Sequence, residues 1–196
     1  MKRSVSLFII ISFIVIGLFC PGVAQCFEEN IYLFRTLDDP NVPYDPEVLE
    51  RAPFWQPDWD PENPPPFVVP LGASIWALQT RANDGQVVED TVHQIGTGTA
   101  VAVITDPGFT PFASLAPFYF EASIGDLEFT SNGYCLATSN NLPMPGIILV
   151  GCDLTVYPDA EQGILGGSAT SNSIFNPFGF PGFQTGSFWT LRLYQE

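Results

Sequence analysis

The sequence predicts an all-β protein, in which an antiparallel eight-stranded barrel follows an extended, proline-rich N-terminal arm. Short runs of alternating or β-branched residues recur from Leu71 onward, with turn residues between them. Beyond the first 26 residues, no stretch has convincing helical periodicity. A β-sandwich is the alternative, because two packed sheets are built from the same short strands and turns.

Residues 1–26 have the features of a secretory signal peptide. Lys2 and Arg3 precede an apolar run over residues 7–19, and small residues surround Ala24. The run is too short to span a bilayer comfortably, which favours cleavage over retention as an anchor. We therefore expect a secreted protein, extracellular or periplasmic, with no membrane span after the signal is removed.

The composition excludes two broad classes of protein. Hydrophobic residues make up 46% of the chain, so the protein is not disordered throughout. There are 21 acidic residues against six Lys and Arg, a formal net charge of −15. Nucleic-acid binding is not expected, because phosphate contacts require basic side chains. The acidic surface either is simply solvated, which we favour, or attracts cations or a basic partner.

Residues 27–70 differ in composition from the rest. They hold ten of the 21 acidic residues and ten of the 19 prolines. Because proline removes a backbone donor and favours extended conformations before it, we expect an arm with polyproline II character. A short helical turn around Pro46–Arg51 is compatible with proline in a first turn. Four aromatic residues indicate that part of the arm packs on the domain or on a protein partner: Phe54, Trp55, Trp59 and Phe67.

The first strands of the barrel domain, residues 71–196, are predicted from alternation. Residues 74–81 alternate and carry Ile, Trp and Thr, and residues 87–95 follow an Asn-Asp-Gly hairpin turn at 83–85. Residues 96–105 alternate small and β-branched residues. These segments are the first three predicted strands.

Small residues in the third predicted strand indicate a barrel interior. Gly98, Ala100 and Ala102 share one face of that strand, since successive side chains alternate. Short side chains suit the tight interior of a small barrel, and glycines ease the coiling that closure requires. This pattern favours the barrel over the sandwich.

Five further segments complete the predicted strands. Residues 112–124 are rich in aromatics, and a Gly-Asp turn separates them from residues 127–137. Residues 147–157 are apolar, residues 163–170 are glycine-rich, and residues 187–195 form a closing aromatic strand. Four phenylalanines precede that last strand and form a lid over a barrel mouth, a contact surface or a plug: Phe175, Phe178, Phe180 and Phe183.

Two of the four cysteines lie in predicted strands. Cys135 and Cys152 are 17 residues apart, which fits neighbouring strands, and an exported protein meets oxidising conditions. We predict a disulfide between them, with two buried free thiols as the alternative. Cys20 lies in the signal, and Cys26 is removed with it, left as a free thiol or lipidated; we favour a soluble product. With one histidine and no Cys-x-x-Cys pair, no metal site or cofactor is expected.

Several segments occur in an order that resembles a known family. They are residues 94–104 (QIGTGTAVAVI), Phe118-Tyr119-Phe120, a hydrophobic strand, Gly166-Gly167-Ser168-Ala169 and the closing aromatic strand. This order, over about residues 74–195, resembles that of allene oxide cyclases, whose wider group includes the dirigent proteins. The resemblance implies an eight-stranded antiparallel barrel with a hydrophobic cavity.

The activity that this resemblance implies is the orientation of a reactive, apolar molecule. Allene oxide cyclases fold a fatty-acid epoxide into a cyclopentenone, and dirigent proteins steer radical coupling, mainly by orientation and desolvation. A first-strand glutamate is thought to help in the cyclases, but our register places Ala77 there, with Gln79 and Thr80 nearby. Ala102 replaces a cavity cysteine, and both departures argue against that specific activity.

Five residues are predicted to line the cavity and contact its ligand: Trp76, Arg81, Tyr119, Tyr134 and Asp153. Asp153 lies within an apolar strand, so its carboxylate is either paired or exposed to solvent. Arg81 and Arg192 are its candidate partners, since each also interrupts a predicted strand. Such a pair inside the barrel would anchor a ligand.

The remaining titratable candidates have simpler interpretations. His93, the only histidine, is either a general base or, as we favour, a surface residue. Glu121, Asp126 and Glu128 flank a turn and either take part in acid–base or calcium chemistry or, as we favour, face water. No catalytic residue is assigned.

Two functions from different classes remain. The first is a secreted barrel that holds a hydrophobic small molecule in its cavity, as a cyclase-like isomerase or as a steering protein. The second is a non-enzymatic extracellular module with a packed barrel, whose acidic arm binds a protein partner. An open cavity with buried polar groups would favour the first function, and a packed interior would favour the second.

Overall fold

The chain forms a closed antiparallel barrel of eight strands. The structure, a computed structural model, describes residues 27–44, 46–80 and 87–196. Each strand pairs antiparallel with the next, and the last pairs with the first. This confirms the predicted all-β barrel and excludes the sandwich. The signal peptide, the hairpin turn at 83–85 and Arg81 are predictions that lie outside the described residues.

Consecutive strands are neighbours in the barrel, so alternate connections lie at opposite ends. The end at which the first strand finishes and the second begins is called the mouth below. Among the described residues, the one helix is α1 (Pro46–Arg51), in the connection between those two strands. The strands are β1 (Glu28–Asp38), β2 (Val68–Thr80), β3 (Val87–Val103), β4 (Leu115–Ile124), β5 (Leu127–Ser139), β6 (Ile148–Val156), β7 (Ile164–Phe175) and β8 (Gly186–Gln195).

The first strand lies within the segment for which composition predicts an arm. β1 pairs with both β2 and β8, so an extended arm over residues 27–70 is a wrong prediction for residues 28–38. All ten prolines of that segment lie at Pro40 or later, and averaging over the whole segment hides the proline-free strand before them. The barrel therefore begins at Glu28, and its second strand begins at Val68, before the predicted domain 71–196.

The third strand unites two predicted strands. β3 is continuous over Val87–Val103, although its pattern predicted separate strands at 87–95 and 96–105. Its pairing with β2 shifts register on both sides of Trp76, and such irregularities let a long strand bend. The predicted number of eight strands is correct because β1 replaces the strand lost in this merger.

The connection between β1 and β2 packs on the outside of the barrel. Val48 and Leu49 of α1 are buried against Val101 and Tyr119, and the aromatic residues of the connection pack around them. The short helix is therefore confirmed, as is the packing of Phe54, Trp55 and Trp59 on the domain, whereas Phe67 is 44% exposed. A protein partner for this segment stays a prediction.

A polar contact fixes α1 to β4. The Arg51 guanidinium Nε donates to Glu121 Oε1 at 2.8 Å, and the Tyr119 hydroxyl donates to the same oxygen at 2.6 Å. Burial, and then the hydrogen bond to Glu121, raise the pKa of Tyr119 above its usual range. Tyr119 is therefore a neutral donor on the outer face of the barrel.

Large side chains fill the half of the barrel away from the mouth. They face inward because alternate residues of each strand point to one side of the sheet. Trp189 of β8 lies at the boundary of this filled half, with its ring stacked on Phe34 and Phe120. The buried set below it includes Ile75, Phe129, Leu154, Val156, Ile164, Leu191 and Leu193.

The predicted disulfide joins two adjacent strands. Cys135 of β5 and Cys152 of β6 are directly opposite in register, and their sulfur atoms are bonded. Both residues are buried and face the interior.

Among the residues that the structure describes, no helix is long and apolar enough to cross a membrane.

Candidate ligand-binding site

The mouth half of the barrel contains a cavity of about 140 Å³. Its lowest lining residues, such as Phe120 and Trp189, are buried, whereas Thr105 and Thr110 at the top are exposed. The cavity therefore runs from the filled core to the surface at the mouth. Every strand contributes to its wall, since all eight alternate inward and outward.

The cavity exists because the inward residues of the mouth half are small. The wall contains five alanines, namely Ala73, Ala100, Ala102, Ala116 and Ala137. The prediction that Gly98, Ala100 and Ala102 face inward is correct. A Cβ at Gly98 would lie 2.7 Å from the Phe120 ring, so this glycine makes room for that ring below the cavity. Short side chains above a floor of aromatic rings leave the space open.

Aromatic rings form the floor. Trp189 and Phe118 have ring centroids 6.3 Å apart, and Trp189 is only 3% exposed. The indole Nε1 of Trp189 donates to Thr36 Oγ1 at 3.1 Å, which satisfies the one polar atom of the indole. This bond fixes the orientation of the ring under the cavity.

Hydroxyl groups form a stripe along β7, β8 and β1. Ser173 shares hydrogen bonds with Ser171, at 3.2 Å, and with Ser187, at 2.7 Å. Ser173, Ser187, Thr185 and Thr36 all line the cavity. Within the strands, the cavity therefore has a polar side at β7, β8 and β1 and an apolar side at β2 to β6, which gives it the means to orient a ligand.

Two carboxylates line the cavity near the mouth, and their surroundings differ. Asp106 accepts hydrogen bonds from the backbone amides of Gly108, at 2.9 Å, and Thr110, at 2.8 Å, which lower its pKa. Asp38, at the end of β1, has its pKa raised to about 6 by burial. Among the described residues, no Lys, Arg or His lines the cavity. Asp38 is thus the acidic group that lacks compensation.

The stability of the protein should depend on pH through Asp38. Its folded pKa of about 6 exceeds the value of 3.8 expected when unfolded, so burial of the ionised form costs stability. This penalty is absent below about pH 4, grows between pH 4 and 6 and is complete above that window. Asp38→Asn should therefore raise the free energy of unfolding by about 1–2 kcal/mol near pH 7.5, allowing for partial solvent screening.

Urea unfolding of both proteins near pH 7.5 and near pH 4 checks this result, because the gain should disappear at the lower pH. Asp153→Asn is the matched control, since Asp153 is exposed and the charge change is the same. An equal gain at both pH values would contradict the assignment to Asp38 ionisation.

Phenylalanine-bearing loops surround the mouth. Phe109 and Phe175 line the cavity, and their ring centroids are 5.5 Å apart. Phe109 and Phe112 have positive φ angles of 46° and 60°, a strained conformation for bulky residues. Phe178 is 71% exposed on the β7–β8 loop. Phe178, Phe180 and Phe183 do not line the cavity, so that loop does not plug the barrel, and its roles as a lid or as a contact surface stay predictions.

No family model, curated protein or solved structure matches this chain. The resemblance to allene oxide cyclases and dirigent proteins therefore stays a prediction. Its register needs a correction, because Ala77 lies on β2, the second strand of the barrel, and not on the first.

Four of the five residues predicted to contact the ligand lie on the outer face of the barrel. Trp76 and Tyr119 are on the faces of β2 and β4 opposite to the lining residues, and the connection covers Tyr119. Tyr134 is 54% exposed, and Asp153, its partner across the β5–β6 pair, is exposed as well. Their predicted placement on the cavity wall is wrong, because the strand register turns them outward. Arg81, the fifth, lies outside the described residues.

The other titratable candidates also lie away from the cavity. His93 is exposed on β3, and Asp126 and Glu128 are exposed near the β4–β5 turn. Arg192 pairs with Glu29 at 3.1 Å, and not with Asp153. Within the described part of the chain, no group of three or more His, Cys, Asp or Glu residues is arranged to hold a metal ion.

Sequence reasoning missed the two most informative residues of the cavity. Asp38 ends the run Phe34, Thr36, Asp38, whose alternate positions face inward. Recognising this alternation as a strand would have placed Asp38 inside. The sequence placed Trp189 in the closing aromatic strand. Only the inward positions of Leu191 and Leu193 show that Trp189 lies on the inner face of that strand.

Proposed function

We propose that this barrel binds a hydrophobic small molecule in its mouth cavity. The observation that carries the proposal is the cavity itself, which has an apolar wall, an aromatic floor and an opening at the surface. Apolar pockets with a few convergent polar groups are the usual form of small-molecule sites. The alternative of a packed barrel that serves only as an interaction module loses support, since the mouth half is not filled.

The cavity volume limits the ligand. An engineered apolar cavity of about 150 Å³ in another protein binds benzene, and the cavity here is about 140 Å³. We therefore propose that one ring, or an alkyl segment of similar size, occupies the cavity. A long-chain fatty-acid derivative would leave most of its chain outside the mouth.

We infer that the protein works in an oxidising compartment outside the cytoplasm, as a secreted protein. The Cys135–Cys152 disulfide supports this inference, because such bonds persist in oxidising compartments. Any cyclase- or isomerase-like activity would depend on how the cavity orients its ligand and excludes water. Binding is the part of the proposal that the cavity supports best.

Ethylbenzene is a suitable probe of binding, since it combines one ring with a short alkyl tail. We expect saturable one-to-one binding in isothermal titration calorimetry, with a dissociation constant of order 0.1–1 mM for so few atoms. The tryptophan fluorescence of the protein should change on binding, because the ring of Trp189 forms the floor of the cavity. Ala102→Phe should abolish binding by placing a ring in the cavity.

The matched control places the same ring on the outside. Thr170 is exposed on β7, so Thr170→Phe should bind ethylbenzene like the unmodified protein. Ala137→Leu, a smaller intrusion from β5, serves if Ala102→Phe folds poorly. Absence of ethylbenzene binding to the unmodified protein would contradict the proposal. So would a folded cavity variant that binds ethylbenzene as tightly as the unmodified protein does.

A further inference from the structure

We propose that the ligand is a small hydrophobic amine, whose ammonium group binds Asp38 while its ring lies on the Trp189 floor. This inference rests on the proposed function and adds the chemical class of the ligand. It depends on three features of the cavity: its charge, the unequal environments of its two carboxylates and the height of Asp38 above the floor.

The charge of the cavity is entirely acidic. Asp38 and Asp106 line it, and among the described lining residues no basic side chain offsets them. The protein as a whole carries a formal net charge of −15. Such a field attracts cations and repels anions at the mouth, so a fatty acid or phosphate ester is disfavoured.

The two carboxylates have different needs. Two backbone amides already satisfy Asp106, whereas burial raises the pKa of Asp38. Asp38 pairs in register with Ala73 of β2, and its backbone amide donates to the Thr185 carbonyl. The lining on these two sides consists of apolar side chains, such as Leu71, and hydroxyl groups, such as that of Ser187. Asp106 is the other ionisable group at this level, and it is an anion. An ammonium group would supply both a donor and the opposite charge.

The position of Asp38 also fits a particular length. Thr36, which accepts the Trp189 indole hydrogen, precedes Asp38 by two residues on the same face of β1. Two residues of a strand rise about 7 Å, so the carboxylate lies roughly that far above the level of the floor contact. A ring on the floor and a two-carbon linker to the nitrogen cover this rise, as in 2-phenylethylamine.

Three probes of the same shape test the inference. We would titrate ethylbenzene, 2-phenylethanol and 2-phenylethylamine into the full protein by calorimetry at about pH 7.5 and about pH 5. The amine should bind at least about tenfold more tightly than the other two at the higher pH. This advantage should shrink at the lower pH, where Asp38, with its pKa of about 6, becomes protonated.

Variants separate the role of Asp38 from that of general charge. Asp38→Asn should remove the preference for the amine over ethylbenzene and 2-phenylethanol. Asp153→Asn, which makes the same change of charge on the outer face, should keep the preference. These two variants have the same net charge, so only the site of the change differs.

The outcomes are distinct. Failure of all three probes to bind would overturn the proposed function itself. Binding of ethylbenzene with no preference for the amine, or a preference that survives in Asp38→Asn, would overturn the inference alone. Equal binding of 2-phenylethanol and the amine would show recognition of a hydrogen-bond donor without charge, and would also overturn it.

Discussion

Trp189→Ala is expected to lower the free energy of unfolding by about 3–5 kcal/mol, the largest loss that we predict for a single substitution. The ring of Trp189 stacks on Phe120, with centroids 5.1 Å apart, and on Phe34, at 6.4 Å. The variant loses this burial and joins the existing cavity to a new void in the filled half of the barrel. It also leaves Thr36 without its indole donor. Urea unfolding measured by circular dichroism gives the free energy.

The neighbouring residue supplies the control. Phe188 is 48% exposed on the opposite face of β8, where the Arg35 guanidinium lies 5.4 Å from its ring centroid. Phe188→Ala should cost less than about 1 kcal/mol, because an exposed aromatic contact of this kind contributes little. Similar losses for the two variants would contradict the assignment of Trp189 to the core.

The fold was predictable from the sequence because barrel strands carry a local signature. Alternation and turn residues located most of β3 to β8, and the alanines of β3 indicated the interior correctly. The exception was β1, which the acidic and proline-rich composition of the following residues concealed. A closed barrel needs a partner for both edges, so composition alone could not say which segment closes it.

The cavity residues were harder to predict, because they depend on register. A shift by one residue turns every side chain of a strand to the other face. Trp76 lies where the β2–β3 pairing shifts, so local alternation does not fix its direction. Tyr134 and Asp153 lie in largely apolar strands, but pairing beside Cys135 and Cys152 places them on the outer face. The predicted disulfide would have fixed the faces of Tyr134 and Asp153, because the bonded cysteines point inward and their neighbours in the strand point outward.

Asp38 illustrates a residue whose stability cost and proposed role agree. An uncompensated carboxylate in a cavity lowers stability increasingly from about pH 4 to about pH 6 and fully above that, as its raised pKa implies. Natural proteins retain such costs mainly where function requires them. The same residue therefore connects the expected gain in stability of Asp38→Asn with the expected loss of amine preference.

Removing the disulfide is the second substitution with a large expected effect. Cys135→Ala combined with Cys152→Ala should lower the free energy of unfolding by about 3 kcal/mol, the chain-entropy value for a loop of this length. The bond closes a sequence separation of 17 residues that includes the β5–β6 connection at the mouth. Urea unfolding of the double variant, compared with the oxidised protein, measures the loss.

Reduction of the unmodified protein separates the bond from the side chains that form it. Dithiothreitol should produce most of the same loss and should leave the double variant unchanged, since that variant has no bond to break. Because both cysteines also line the cavity, the double variant should accept a slightly larger ring than the oxidised protein, whereas reduction alone should not enlarge the space. A double variant as stable as the oxidised protein would mean that strand pairing alone holds β5 to β6, and that the disulfide serves only as part of the cavity wall.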